Sequence, residues 1–499
     1  MKHYLKSFAF LVSLSIIFIQ KGFNQEVLIQ PIPLDQANSD DDILFDIIDN
    51  NLYLTVHTQK DPGKLVLEKH NAQFEIDYQT RIQIPEGFTF AQHCLTKDYL
   101  FLMFVNADNE LLFYQTDATF FDVKKTLSTS IPHAARVPQI YGLGTNVFVH
   151  VTIDLYKDML LKIDFTHNTI ISNPIEIPNF NSNKFNIDHA AYYPQTEELC
   201  IFLYGKPSTP KNIFAVMYNA SGIQTTYFNF FEATQQICTN IEISPQGDSQ
   251  YVITGNYASD NYVSPAGIFI MVANGSKVTH FHTYNYGLLN KFFTYHDGIN
   301  LPKNYSPDTS ANTNQDLKLH YNIASNPVSK FGDMYIFVAE AYYPVYGDYK
   351  KPVYITNTYS SDARNMLKGY KTTHASIIAF DTNGNMLWNT PIQVKSDKKS
   401  AKHQPSFIVN PESDFIYVEY ASDTDIESFI VSPLGSVSKN TSVSINSEGI
   451  HNDLIAESYF VKHWSNHNYV TFGYKRVSTT EGLITHFALQ YQAYLYTID

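Results

Sequence analysis

Residues able to do chemistry are scattered along this sequence, and no motif gathers them. His280 and His282 stand two apart. On a strand both would face one side, where a pair can hold a metal if a third ligand arrives from elsewhere. His463 and His467, around Trp464, make a looser pair. Asp381-Thr382-Asn383-Gly384-Asn385 alternates acid and amide like a calcium loop, but its glycine is fourth where that loop needs it sixth. It reads instead as a hairpin turn, so no metal site is assigned. Asp154, Asp158, Asp188, Glu340 and Glu419 lie in or beside strongly apolar runs. Two such acids brought together from distant segments would suit glycoside hydrolysis, but their spacing does not select a pair. There is no GxSxG elbow, HExxH, phosphate loop or dinucleotide fingerprint. No catalytic residue and no cofactor are therefore assigned.

The three cysteines, Cys94, Cys200 and Cys238, are odd in number and far apart. That excludes a disulfide scaffold and a zinc knuckle. Each sits in or beside an apolar run, which favours buried thiols. A Cys200–Cys238 disulfide stays open as an alternative in an oxidising compartment.

The elements that must position these residues are strands. The chain has 36 tyrosines and 35 phenylalanines but only 16% charged residues, a composition that fits pleated, half-buried surfaces. Ser376–Thr390, SIIAFDTNGNMLWNT, is the clearest unit: a strand, an Asn-Gly turn and a return strand. Degraded copies recur. Tyr53, Phe101, Phe148, Phe202, Val252, Ile336, Ile416 and Val470 each mark the strongest apolar strand of a unit, and five of their seven spacings lie between 47 and 54. The eighth unit reads as LIAESYFV, NYVTFGYK, LITHFALQ and AYLYTI. Four strands per 40–50 residues, repeated, predict a β-propeller. The reading is an all-β propeller of about eight four-stranded blades, with seven as the alternative count. Strands such as YLFLMFV and NIFAVMY, apolar on both faces, suit the middle of a blade packed on each side.

Two long segments break the period, at about 285–316 and 341–373. Both read as loop insertions. The second is rich in tyrosine, including Tyr342, Tyr343, Tyr346 and Tyr354. Tyrosine offers a flat apolar surface with a polar tip, suited to carbohydrate or peptide. These four, with Glu340 and His374 beside them, are the candidate ligand-binding residues. The competing reading is a loop that packs its tyrosines on its own blade.

Residues 1–25 carry Lys2 and Lys6 before an apolar run from Phe8 to Ile19. That is the pattern of a secretory signal peptide, and the run is too short to span a bilayer. Residues 26–499 would form one propeller domain, secreted or periplasmic, with no transmembrane segment. The net charge is −14, and residues 1–25 hold three lysines and no acid, so the mature chain is more acidic still. Such a surface disfavours nucleic acid and anionic membranes.

The segment IIAFDTNGNMLWNT resembles the closing hairpin of quinoprotein-type and WD-like propeller blades, where a D-x-x-G turn precedes an aromatic residue. Of the tryptophans that dock quinoprotein blades, this chain offers only Trp388 and Trp464. More broadly, MYIFVAEAYYPVY followed by His374 and the FD-x-NG-x-x-x-W hairpin is similar to secreted bacterial proteins of unknown function. The resemblance implies export and a propeller-like fold, and brings no activity. The sequence thus predicts an exported, non-catalytic binding or interaction module, with carbohydrate, peptide or an envelope protein as partner. The alternative is a polysaccharide- or peptide-cleaving propeller enzyme whose site is assembled from several blades.

Overall fold

The computed structural model describes residues 27–32, 42–48, 51–57, 61–72, 75–131, 139–154, 157–178, 185–205, 213–230, 237–258, 266–289, 292, 322–346, 367–398, 407–411, 414–421, 425–444, 457–465, 468–481 and 484–498. Among them the strands form eight antiparallel sheets, taken up one after another along the chain. Seven sheets have four strands and the sixth has five. The fold is a β-propeller with eight blades. Blades 1 to 7 span residues 42–83, 88–130, 139–172, 185–229, 237–285, 322–398 and 407–444.

Each blade runs first strand to fourth from the inside out. All eight sequence markers fall on second strands, and each is at most 5% exposed. The gradient within a blade is steep. In blade 2, Leu100 to Phe104 of the second strand, Tyr99–Asn106, are all buried, whereas the fourth strand, Val123–Ser130, is largely exposed. Six apolar layers join consecutive blades from blade 1 to blade 7. A lone four-stranded sheet cannot cover both faces, and stacking in a ring covers them.

The last blade differs from the sequence reading. LITHFALQ and AYLYTI are not two strands: Ile484–Ile498 is one, paired along Asn468–Glu481. The fourth strand comes from the other end of the chain. Val27–Ile32 pairs antiparallel with Ile484–Ile498, from Val27↔Ile498 to Ile32↔Ala493. The first strand of the chain therefore completes the last blade.

The insertions are also redrawn. Residues 341–346 and 367–373, taken as loop from the sequence, continue the second and third strands of blade 6, Met334–Tyr346 and Leu367–Asp381. Residues 347–366 lie outside the described residues. At 285–316, Tyr286–Leu288 forms one short 3-10 turn and Phe292 is buried. Residues 293–316 lie outside the described residues.

One turn recurs between third and fourth strands. In blades 4, 6 and 7 the five residues 219–223, 381–385 and 432–436 close with the first N–H bonded to the fifth C=O at 2.9–3.0 Å. The fourth residue is Gly222, Gly384 or Gly435, with φ of +66°, +85° and +80°, a region that L side chains avoid. The first residue holds the loop. Asp381 Oδ1 accepts from the Asn383 and Asn385 N–H at 2.9 and 2.8 Å, and Asn219 Oδ1 accepts from Ser221 and Ile223 at 3.1 Å.

The preceding blade grips each of these turns. Lys162 and Asn146 of blade 3 donate to Ser221 O and Ala220 O. Tyr284 of blade 5 donates to Gly384 O at 2.8 Å. Trp388 of blade 6 donates through Nε1 to Pro433 O at 2.9 Å, and Thr390 donates to Gly435 O at 2.6 Å.

Candidate functional site

The six residues singled out from the sequence all belong to blade 6 or the segment between its second and third strands. They do not form one cluster. In the register Glu340↔Ala375 and Ala341↔His374, opposed residues share a face, so Glu340 and His374 point to opposite faces. His374 is buried beside Thr373 Oγ1, 2.9 Å from its Nδ1, with Phe292 edge-on at 4.7 Å on the blade 5 side. Glu340 is fully buried and accepts a hydrogen bond from Thr372 Oγ1 at 2.8 Å. Tyr342 meets Tyr370 edge-on at 5.6 Å. Burial above all, then Tyr370 and Glu340, pushes its hydroxyl pKa up. The backbone of Tyr343 and Tyr346 pairs with Lys371 and Leu367. Tyr354 lies outside the described residues.

What these strands build is a projection. Among the described residues the first strand of blade 6, Asn322–Ser325, pairs as far as Asn322↔Tyr342. Beyond it, Tyr343–Tyr346 continue against the third strand, whose Tyr370–Thr372 still pair with Ser396–Lys398 of the fourth. Blade 8 does the same. Among the described residues its first strand, Glu457–Ser465, pairs as far as Glu457↔Tyr474, and the closing strand as far as Ile32↔Ala493. Among the described residues, Lys475–Glu481 pair with Ile484–Gln490 alone. Both ribbons lead into second-to-third strand connections, so both project at the same end of the ring, either side of blade 7.

A second grouping lies on the inner strands of blades 3, 4 and 5. The first strand of blade 4, Phe185–Tyr193, shifts register between Ile187 and Ala190, which places Asp188 and His189 in a bulge. His189 stacks on Phe202 at 4.2 Å, with its Nδ1 2.9 Å from Asp188 Oδ2. Blade 5 shifts likewise between Thr239 and Glu242. Burial pushes the Glu242 pKa up to about 7; His189 draws it back and Asp188 adds to the rise. Burial, and then the charge of Asp188, pushes the Tyr141 hydroxyl of blade 3 up to about 12. Of this group the sequence named only Asp188. The others come from separate units, and a bulge leaves no signature in composition.

The remaining acids have structural partners. Asp158 Oδ2 lies 3.2 Å from His150 Nε2 and accepts the Ile187 N–H at 2.7 Å, tying blade 3 to blade 4. Glu419 accepts from Ser428 Oγ at 3.0 Å. The side chain of Asp154 is outside the described residues. His280 sits 3.2 Å from Thr279 Oγ1, and His282 stacks on Tyr284. The side chains of His463 and His467 lie outside the described residues. Among the described residues no three His, Cys, Asp or Glu side chains gather in a metal-holding group. The cysteines are buried thiols, none in a disulfide. Burial pushes the Cys94 and Cys200 thiols well up.

No family model matches the chain, and no curated protein matches it. Solved structures do. The WD40 domain of SCAP from fission yeast is 11% identical, with a TM-score of 0.44, over 94% of this chain and 98% of that one. Dihydro-heme d1 dehydrogenase NirN is 9% identical, TM-score 0.44, over 93% and 78%. A europium-containing methanol dehydrogenase is 8% identical, TM-score 0.41, over 93% and 95%. The fold assignment here rests on the sheets of this chain and their order.

Proposed function

We propose that this propeller is an exported, non-catalytic interaction module that contacts its partner with the projecting ribbons of blades 6 and 8. The observation behind this reading is that the second and third strands of blades 6 and 8 run on past the described ends of their first strands. Strand pairs that run on past their neighbours can offer an edge to another chain or ligand. Strands kept past that point fit a contact element. Tyr343 and Tyr346 lie on one of the two ribbons. Export rests on the pattern of residues 1–25, and carbohydrate, peptide and envelope protein remain the partner classes that tyrosine and the acidic surface favour.

The test is a thermal-shift screen of residues 26–499 against oligosaccharides and short peptides, repeated with Tyr343→Ala/Tyr346→Ala. A ligand binding only the folded state at a hundredfold excess over its Kd adds about 2.7 kcal/mol of stability. The reading expects a shift with one class that the double variant loses. A shift that the double variant keeps in full would remove the ribbon of blade 6 from recognition.

A second reading has one observation behind it. Tyr141, Asp188, His189 and Glu242 interact across three blades, and a carboxyl near neutral pKa is what a general acid needs. A hydrolase acting on polysaccharide or peptide would lose turnover in Glu242→Gln. Ligand binding at the ribbons would not change.

A further inference from the structure

A single exposed leucine on a protein surface needs no explanation. Here the exposed large apolar side chains are not scattered. Ile76, Phe120, Ile171, Ile223, Leu387 and Leu434 are between 46% and 86% exposed. They come from blades 1, 2, 3, 4, 6 and 7, and each lies in the third-to-fourth strand turn or in the first residues of the fourth strand. Phe415, 42% exposed, precedes the second strand of blade 7, Ile416–Ala421. In an up-and-down blade the first-to-second and third-to-fourth turns fall at one end of the sheet. All seven therefore lie around one end of the ring. Among the described residues, only Tyr204 and Leu288 of the exposed large apolar group lie at the opposite end, where the ribbons project.

The charge at this end leans acidic once its engaged lysines are set aside. Its turns expose Glu75, Asp98, Asp122, Asp248, Asp333 and Asp414. Against them stand Lys97, Lys124, Lys125, Lys277 and Lys330; Lys124 is already engaged by Asp117 and Asp122 at 3.4 and 3.5 Å, and Lys125 donates to Phe165 O. The turns are rigid presenters, since the preceding blade grips those of blades 4, 6 and 7 through backbone carbonyls. Leu434 and Ile223 are held up on the very turns that Trp388 and Asn146 fix.

We infer that this end of the propeller is a second interaction surface, which binds a basic protein segment carrying apolar side chains, such as a cationic amphipathic helix. The apolar side chains supply area to bury, and the acids between them select a positive partner and repel anionic lipid. Complementary charge speeds encounter and makes it salt-sensitive, while the apolar contacts set the lifetime. The surface is at the opposite end from the ribbons and does not depend on them.

The probe is a synthetic helical peptide with lysines along one face and leucines along the other, measured by titration calorimetry or anisotropy on residues 26–499. Controls replace its leucines by serine or its lysines by glutamate. The expected result is saturable binding by the first peptide alone, weakened by added salt. Leu387→Ser/Leu434→Ser should lower affinity about tenfold or more, as loss of central apolar contacts does. Asp333→Asn/Asp414→Asn should lower it about threefold at low salt and less at high salt. Tyr343→Ala/Tyr346→Ala should leave it unchanged, which separates this surface from the ribbons. Both apolar sites are exposed, and unchanged melting of Leu387→Ser/Leu434→Ser confirms that the variant folds. No saturable binding, or binding indifferent to the apolar pair, overturns the inference. So does a native dimer that Leu434→Ser dissolves, which would assign the surface to a second copy. Binding to neutral phosphatidylcholine vesicles through the same leucines would assign it to lipid and overturn it as well.

Discussion

Gly222, Gly384 and Gly435 occupy one place in three blades, and each is constrained twice. The backbone turns through positive φ, and a Cβ there would meet the preceding blade: Lys162 Cε at 2.6 Å, His282 Cδ2 at 3.2 Å or Trp388 Cδ2 at 2.7 Å. Gly275 in blade 5 shares the positive φ, at +54°, but a Cβ would meet nothing within 4 Å. The two constraints can therefore be separated. Gly275→Ala should cost about 1 kcal/mol, the left-handed penalty alone. Gly435→Ala should cost about 2–4 kcal/mol, because the indole must also shift. Thermal or denaturant unfolding of both variants decides it, and equal losses would mean the turn is not docked as described. Glu242 gives a pH test at the same scale. Its pKa rises from the ordinary 4.5 to about 7 in the fold, so the fold holds a proton that the unfolded chain releases. That contribution to stability is complete below about pH 4.5 and is lost as pH rises through about 7. Glu242→Gln should therefore match the native melting temperature near pH 4 and exceed it at pH 8. Parallel curves would show that Glu242 is not desolvated.

At the scale of elements, much of the fold was legible and some of the site was not. The eight markers all fell on second strands because those strands are packed by a blade on each side, and double burial makes a continuous apolar run. The turn at 381–385 was legible for a similar local reason: a side-chain acceptor first, a glycine fourth. Local signals do not reach across blades. Nothing near Trp388 says that its Nε1 meets Pro433 O, nor does anything near Glu242 announce His189. The bulges at Asp188 and beside Glu242 are single-residue shifts in register, invisible to periodicity over so few residues. The docking contacts predict a local effect. Trp388→Phe removes one hydrogen bond worth about 1 kcal/mol and keeps most of the ring area. Amide exchange at Gly435 and Ser436 should quicken, while the matching turn at 219–223 should not change. Uniform quickening across all turns would mean that the blades do not loosen separately.

At the scale of the molecule, order around the ring decides everything else. Consecutive blades share apolar layers, so the two ends of the ring present different turns: ribbons at one end, the apolar and acidic rim at the other. That arrangement requires the last blade to be completed by the first strand. The closing strand was missed in the sequence because Val27–Ile32 holds Pro31 and sits more than 400 residues from its partner. A proline suits it as an outermost strand, whose free edge needs no N–H there. Register makes closure measurable, because Ile29 opposes Tyr496 and Gln30 opposes Leu495. The decisive measurement is oxidative cross-linking of Ile29→Cys/Tyr496→Cys in the folded chain, with Ile29→Cys/Leu495→Cys as control, read as altered mobility of the circularised chain on a denaturing gel. Closure as described predicts efficient cross-linking of the first pair and little of the second. No cross-link in either, or equal cross-linking in both, would contradict the ring and with it the assignment of two opposed binding ends.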